Sequence, residues 1–213
     1  MREFIVNESS FIYGGYIKSE VCDDVISYFE ESPLKQGGEC GRGIDPNHKL
    51  STDIYVQPTN SDIVLQNYIK ELKNISDLYI KRFPFSLEGM PSWGLKNEFN
   101  LQKYQPGEAF YGWHTERCSY FGLHRHLVFM TYLNTVTDGG QTEWFHQKLK
   151  IQPEKGLTVI WPVDWTYTHR GIASPTQTKY IVTGWLDGQK NPCSMGDWCC
   201  FVDDLKSYSD VQF

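Results

Sequence analysis

HLVFMTYLN at residues 126–134, LTVIW at 157–161 and TKYIVTGWL at 178–186 are short apolar runs rich in β-branched and aromatic residues. Runs of this length and composition, bounded by turn formers, read as strands of a well-buried sheet. Working outward, further strands are predicted over 98–104, 110–116, 141–146, 149–152 and 166–170. Pro106-Gly107, Asp138-Gly139-Gly140, Pro153, Gly156, Pro162 and Pro175 supply the breaks between them. Eight short strands at such spacing predict a jelly roll or barrel.

The chain before residue 97 has a different period. Residues 19–31 (SEVCDDVISYFEE) predict a helix capped by Ser19, with Val21, Val25 and Phe29 on one face. Residues 61–82 predict a longer helix capped by Ser61. Ile63, Leu65, Ile69, Leu72, Ile75, Leu78 and Tyr79 form its apolar face, and Pro84 stops it. Residues 34–60, rich in Gly, Pro, Asn and Asp, read as loop. The fold class is therefore α+β and mainly β, with N-terminal helices packed on a sheet. We divide one domain into helical support at 1–96, a jelly-roll core at 97–186 and a polar C-terminal tail at 187–213.

The 213 residues suffice for one domain with a real core, and 40% hydrophobic with 22% charged residues is ordinary for a globular protein. Aromatic residues at 15% favour strands and pocket walls. A net charge of −6 without basic runs argues against a nucleic-acid partner. Neither a secretion signal nor an apolar run of about 20 residues is visible, so a cytoplasmic location with no membrane partner is expected. Cys22, Cys40, Cys118, Cys193, Cys199 and Cys200 match no zinc spacing, and free thiols are expected.

The chemistry begins at Trp113-His114-Thr115-Glu116. Side chains two apart on a strand share a face, so His114 and Glu116 can chelate one metal. A third ligand must come from elsewhere, and His169 in Tyr167-Thr168-His169-Arg170-Gly171 is the candidate. Two imidazoles and one carboxylate on one face of a metal leave positions open, the geometry of non-haem Fe(II) oxygenases. Ten residues later, Lys179 shares a strand face with Ile181, Thr183 and Trp185, while Tyr180, Val182 and Leu186 occupy the other. Both faces are apolar enough for burial, and a buried lysine calls for an anionic partner. A zinc hydrolase could use the same three ligands, but its usual His-Glu-x-x-His helix string is missing.

In order along the chain, Tyr104-x-Pro106-Gly107, His114-x-Glu116, Tyr132-Leu133-Asn134, Gly139-Gly140-Gln141-Thr142, Pro153-x-x-Gly156, His169, Lys179 and Gly184-Trp185 resemble the catalytic core of prolyl 4-hydroxylase-type 2-oxoglutarate/Fe(II) dioxygenases. Upstream, Lys49-x-Ser51-Thr52-Asp53 is compatible but less specific. The resemblance implies a double-stranded β-helix. It implies Fe(II) on His114, Glu116 and His169, with 2-oxoglutarate and O2 as co-substrates, and it leaves ascorbate open as an auxiliary. Lys179 would pair with the distal carboxylate of 2-oxoglutarate, Tyr104 and Thr142 would hydrogen-bond to that end, and Trp185 would wall the pocket. Arg125 is the candidate for touching the primary substrate. The implied reaction hydroxylates a C–H bond, with a peptidyl proline as the nearest analogy, and releases succinate and CO2. A free amino acid, a small metabolite or a non-catalytic binding module remain as alternatives, and oligomeric state is left open. One departure stands out: the family usually has Asp where this chain has Glu116, a ligand one methylene longer. Of the other histidines, His126 reads as a packing residue and His146 as surface.

Overall fold

The computed structural model describes residues 2–41, 43–88 and 92–188. In chain order, β1 (Glu3–Ile5) and β2 (Tyr13–Tyr16) precede α1 (Ser19–Glu31). Next come β3 (Gln36–Gly37), β4 (Thr52–Val56), α2 (Ile63–Arg82), β5 (Trp93–Gly94) and β6 (Phe99–Tyr104). The rest is β7 (Arg125–Tyr132), β8 (Thr142–Trp144), β9 (Leu149–Ile151), β10 (Leu157–Pro162), β11 (His169–Gly171) and β12 (Lys179–Gly188). The large antiparallel sheet runs β1-β2-β10-β7-β12-β6-β4-β3, with β5 beside the end of β12. The small sheet runs β11-β8-β9. The two sheets with two helices make the expected jelly roll, a double-stranded β-helix in an α+β, mainly β chain.

The central strands are buried on both faces, which is why their sequences run apolar without interruption. On β7, Leu127 and Phe129 face the helices, where they meet Val25 and Phe29 of α1 and Leu65, Tyr68, Leu72 and Ile75 of α2. Val128, Met130 and Tyr132 face the other way, onto Trp144 of β8 and Ile151 of β9, together with Trp161 of β10. β12 alternates in the same sense: Val182 and Leu186 join the helix side, Ile181 and Trp185 the small-sheet side. That is the alternation expected for residues 179–186. Close approach of β2 to β10 depends on Gly14, because a Cβ there would lie 1.8 Å from the Thr158 carbonyl oxygen.

Several sequence expectations need correction. Residues 34–60 are not all loop: Thr52–Val56 is β4, paired to β6. Its polar start hid it, since Asp53 is fully buried but tied to Lys49 and Ser51. Residues 110–116 do not form a strand; they make isolated bridges at Phe110 to Lys49 and at His114 to His169. The amides of Tyr111 and Gly112 both donate to the His48 carbonyl, which breaks the ladder. The segment predicted as a strand over 166–170 begins with a 3-10 turn at Trp165–Tyr167 before β11. Ser19 is the first residue of α1 rather than its cap, and Lys18 sits at the cap position without a side-chain bond. Ser61 does not cap α2; Asp62 does, accepting from the Val64 amide at 2.8 Å. Ile63, placed on the apolar face, is 71% exposed, whereas Tyr68 is buried.

Cys22, Cys40 and Cys118 are free, as expected, whereas Cys193, Cys199 and Cys200 and most of the 187–213 tail lie outside the described residues. No helix among the described residues is long and apolar enough to cross a membrane.

The capping bond makes a direct test. Asp62→Ala should lower stability by about 1 kcal/mol, read as a shift in the urea midpoint at constant slope. Ser61→Ala should leave the midpoint in place, and equal losses from the two would assign the cap wrongly.

Candidate active site

His114 and His169 reach the same point because their backbones are joined. The His114 amide donates to the His169 carbonyl at 3.0 Å, and the His169 amide donates back at 2.9 Å. His169 is carried by β11, held in the small sheet opposite Trp144. His114 follows the Phe110–Gly112 segment, which is fixed to His48 and Lys49. Glu116 lies two residues on, with Oε1 3.5 Å from the Nε2 of each histidine. The ligand atoms of His114, Glu116 and His169 all lie within 4.8 Å of one another.

Each imidazole is held by its other nitrogen. Nδ1 of His114 lies 2.9 Å from the Gly112 carbonyl, and Nδ1 of His169 lies 2.9 Å from the Tyr167 carbonyl. A carbonyl can only accept, so Nδ1 carries the proton in both rings and Nε2 is free to ligate. Phe110 stacks on His114 at 3.7 Å with 11° between the planes, fixing the ring further. Burial, with His169 beside it, lowers the pKa of His114 and keeps the ring neutral. Burial by itself would raise the Glu116 carboxyl, but positive charge at the imidazole Nε2 positions, where each ring otherwise offers a lone pair to a metal, outweighs it and holds the group well below the usual carboxylate range. Two neutral nitrogens and one anionic oxygen, all facing one point, suit Fe(II).

Trp185 completes this arrangement in a way the sequence did not suggest. Its indole N–H donates to Oε2 of Glu116 at 3.0 Å, so that oxygen is occupied while Oε1 faces the histidines. Arg125 lies flat on the same indole at 3.4 Å and donates to the Glu116 carbonyl at 2.9 Å. Its guanidinium is also 3.5 Å from Oε2.

Lys179 starts β12 opposite Tyr104 of β6, and its ammonium lies 4.9 Å from the Tyr104 ring. It is buried and donates to the Gly140 carbonyl at 3.1 Å. Gly140 can present that carbonyl because it adopts φ of +77°, and a Cβ there would press on Val136 at 2.7 Å. No carboxylate among the described residues pairs with Lys179, and burial pulls its pKa down to about 8. The Tyr104 hydroxyl donates to Gln102, which donates to Asp53, which also takes Lys49 at 2.6 Å. Thr142 accepts from Tyr132 at 2.7 Å. The Lys49-x-Ser51-Thr52-Asp53 stretch thus belongs to a buried polar network ending at Tyr104. His126 packs against Trp93 and bonds to the Ser86 carbonyl, and His146 is exposed, both as expected.

Residues 99–187 match the sequence profile of the 2OG-Fe(II) oxygenase superfamily. The chain carries a 2OG-Fe(II) oxygenase domain. The oxygenase has the fold of the prolyl 4-hydroxylases. A Pseudomonas putida prolyl-4-hydroxylase superposes with a TM-score of 0.62 at 14% identity, covering 82% of this chain and 90% of that one. The viral collagen prolyl hydroxylase of Paramecium Bursaria Chlorella virus-1, solved with 2OG, gives 0.60 at 17%, covering 84% and 95%. A Trichoplax adhaerens prolyl hydroxylase, solved with a hypoxia inducible factor oxygen degradation domain peptide fragment, gives 0.63 at 16%, covering 83% and 82%. No curated protein matches by sequence. The protein is a 2-oxoglutarate-dependent dioxygenase, with Fe(II), 2-oxoglutarate and O2 as its cofactor and co-substrates.

The depressed pKa of Lys179 has a measurable consequence. Between about 8 and the ordinary value of 10.5, the unfolded chain holds a proton on Lys179 that the folded chain has released. Stability of the co-substrate-free protein should therefore rise with pH through this window. Lys179→Met should remove that increment, read as the difference between the two proteins' denaturation midpoints at pH 7.5 and pH 10. An unchanged difference would mean that Lys179 keeps its charge when buried.

Proposed function

We propose that the oxygenase hydroxylates a peptidyl proline, with His114, Glu116 and His169 holding the iron and Lys179 receiving the distal carboxylate of 2-oxoglutarate. The observation that carries the site assignment is the pairing of a His-Glu-His cluster with a buried lysine that no carboxylate among the described residues satisfies. The substrate assignment rests on likeness of fold to prolyl hydroxylases, one of them solved with a peptide fragment. Residues 97–186 act as the catalytic core in this reading, and residues 1–96 as its support.

When bound, Fe(II) with 2-oxoglutarate and O2 supplies the oxidising power that converts C–H to C–OH, with release of succinate and CO2. The protein's own residues supply orientation and a suitable interior. Trp185, by occupying Oε2, leaves Glu116 to bind through Oε1. That bond holds the Glu116 arm, one methylene longer than the family's aspartate, in one position. Lys179 offers a positive charge inside a dry wall, where a dianion stripped of water gains most from it. Tyr104 flanks that ammonium and contributes to the wall. Thr142 sits two residues beyond the carbonyl that orients Lys179 and is held by Tyr132. Trp144 and Trp161, both buried, pack beside His169 and keep solvent from its far side.

Anaerobic Fe(II) titration and succinate release test the metal assignment. Glu116→Gln should lose tight iron binding and turnover. Glu116→Asp should keep iron yet turn over more slowly, because the site is shaped around the longer arm. Parental iron affinity and succinate release in the Gln variant would remove Glu116 from the ligand set. Lys179→Ala should leave iron binding intact and raise the 2-oxoglutarate dissociation constant at least tenfold, since a charge-assisted hydrogen bond is worth roughly 1.5–3 kcal/mol. Mass spectrometry for a gain of one oxygen across proline-rich peptides and free amino acids tests the substrate assignment. Oxygen gain confined to free amino acids would reject the peptidyl proline.

A further inference from the structure

Beside the Trp185–Arg125 stack lies a cleft of about 320 Å3, bounded by that stack together with Gln57, Asn97, Glu98, His124 and Asp187. It shares a wall with the metal cluster, because Trp185 is the residue that bonds Glu116. Nothing in the proposed chemistry uses Asp187, yet it is the most unusual group in the cleft. Its side chain is 2% exposed. Oδ2 accepts from the Asn97 amide at 2.5 Å, but Oδ1 has no hydrogen-bond partner among the described residues. Nε2 of His124 is 3.7 Å from it, beyond hydrogen-bond reach. That nitrogen lies 3.1 Å from the same Asn97 amide.

A buried carboxylate oxygen without a donor is costly. Such atoms are rare in native structures, and each calls for an explanation, a catalytic or binding role among them. The backbone has been shaped to put this one here. β12 runs in register with β7 until Leu186 pairs with Leu127, then a bulge skips His126 and sets Asp187 opposite Arg125. Bulges beside sites commonly re-aim a side chain. Among the described residues, neither Arg125 nor Lys96 forms an ion pair with Asp187. The Arg125 guanidinium is committed to Trp185 and to Glu116, and Lys96 acts on Asp187 only at a distance. Glu98 adds a second carboxylate, held by Gln57 at 3.2 Å.

We propose, building on the oxygenase reading above, that this cleft is a substrate-recognition subsite for a cationic hydrogen-bond donor, an ammonium or guanidinium, with Asp187 Oδ1 as its acceptor. The group would complete the hydrogen bonding of Asp187 and bring its negative charge into play, while Glu98 draws the cation in from solvent. Because Trp185 joins the cleft to Glu116, a substrate anchored there is held next to the metal cluster. A basic side chain of a peptide and the free α-ammonium of an amino acid share this chemistry, and both are tested.

The unaltered protein is titrated with Nα-acetyl-lysine methylamide, norleucine methylamide and the neutral Nα-acetyl-norleucine methylamide, with the His124 ring resonances read by NMR. At least one cationic probe should bind fivefold or more tighter than the neutral one. Tighter lysine binding indicates a basic side chain, and tighter norleucine methylamide binding indicates an α-ammonium. Asp187→Asn should abolish the preference, and Glu98→Gln should weaken it in a variant whose substitution lies at an exposed position. Equal binding of all three probes by the unaltered protein overturns the subsite, whether or not the variants fold. Succinate release by the same preparation, with Fe(II) and 2-oxoglutarate alone, reports the oxygenase reading separately. A cation preference without succinate keeps the subsite and removes the oxygenase chemistry; succinate without a preference does the reverse.

Discussion

Two backbone hydrogen bonds exchanged between His114 and His169 hold together everything that the site requires. They join a segment with no regular strand of its own to the edge of the small sheet. Without them, the His114 backbone would be tied only through its neighbours, by Phe110–Gly112 to His48, Lys49 and Gly171 and by the Thr115 hydroxyl to Val163. With them, both imidazoles present Nε2 toward one carboxylate oxygen. The side-chain bonds to Gly112 and Tyr167 then fix which nitrogen is free. The sheet on which β11 rests is short, yet it is anchored by Trp144 packed edge-on against Trp161, with 5.1 Å between the rings. Precision at the metal cluster is thus inherited from large apolar side chains below it.

Charge inside the fold follows a consistent division. Lys49 and Asp53 form a buried pair, with Ser51 and Gln102 meeting the remaining bonding capacity of the carboxylate. This pair is structural: each partner answers the other, and removing one would strand a buried charge. Lys179 and the Oδ1 atom of Asp187 are different: among the described residues, no carboxylate pairs with Lys179 and no donor bonds to Oδ1. They sit at opposite ends of β12. Between them on the same strand is Trp185, which orients Glu116. One ten-residue strand thus carries a buried lysine, the indole that holds Glu116 and a buried carboxylate oxygen.

Much of this was legible in sequence, for reasons particular to each element. β7, β10 and β12 are buried on both faces, so their composition alone marks them. His114, Glu116, His169 and Lys179 could be read because their order and spacing reproduce a known pattern. β4 could not be read from hydrophobicity, because Asp53 is buried on the strength of its partners rather than its own polarity. The strand predicted over 110–116 failed because alternation says nothing about whether a neighbouring strand exists to pair with. The helix caps were displaced by one residue: Asp62 outcompetes Ser61 at α2, while α1 takes Ser19 into its first turn and leaves Lys18 at the cap position. Asp187 was beyond reach for a subtler reason: a bulge changes what a strand residue faces, and nothing in Leu186-Asp187-Gly188 announces one. The role of Trp185 was half legible; its strand face could be predicted, but not the direction of its N–H.

The distance along the chain between His114 and His169 sets when the site can exist. The His-Glu pair precedes β7 and its partner follows β10, so the intervening hairpins must close before the three ligands can meet. Closing such a long loop carries an entropic penalty that local contacts do not repay, and folds dominated by distant contacts form slowly. A growing polypeptide therefore cannot capture its metal until β11 has been synthesised and docked. An ion held by all three residues would in turn tie the loop before β7 to β11, so its binding would add to the stability of the docked small sheet.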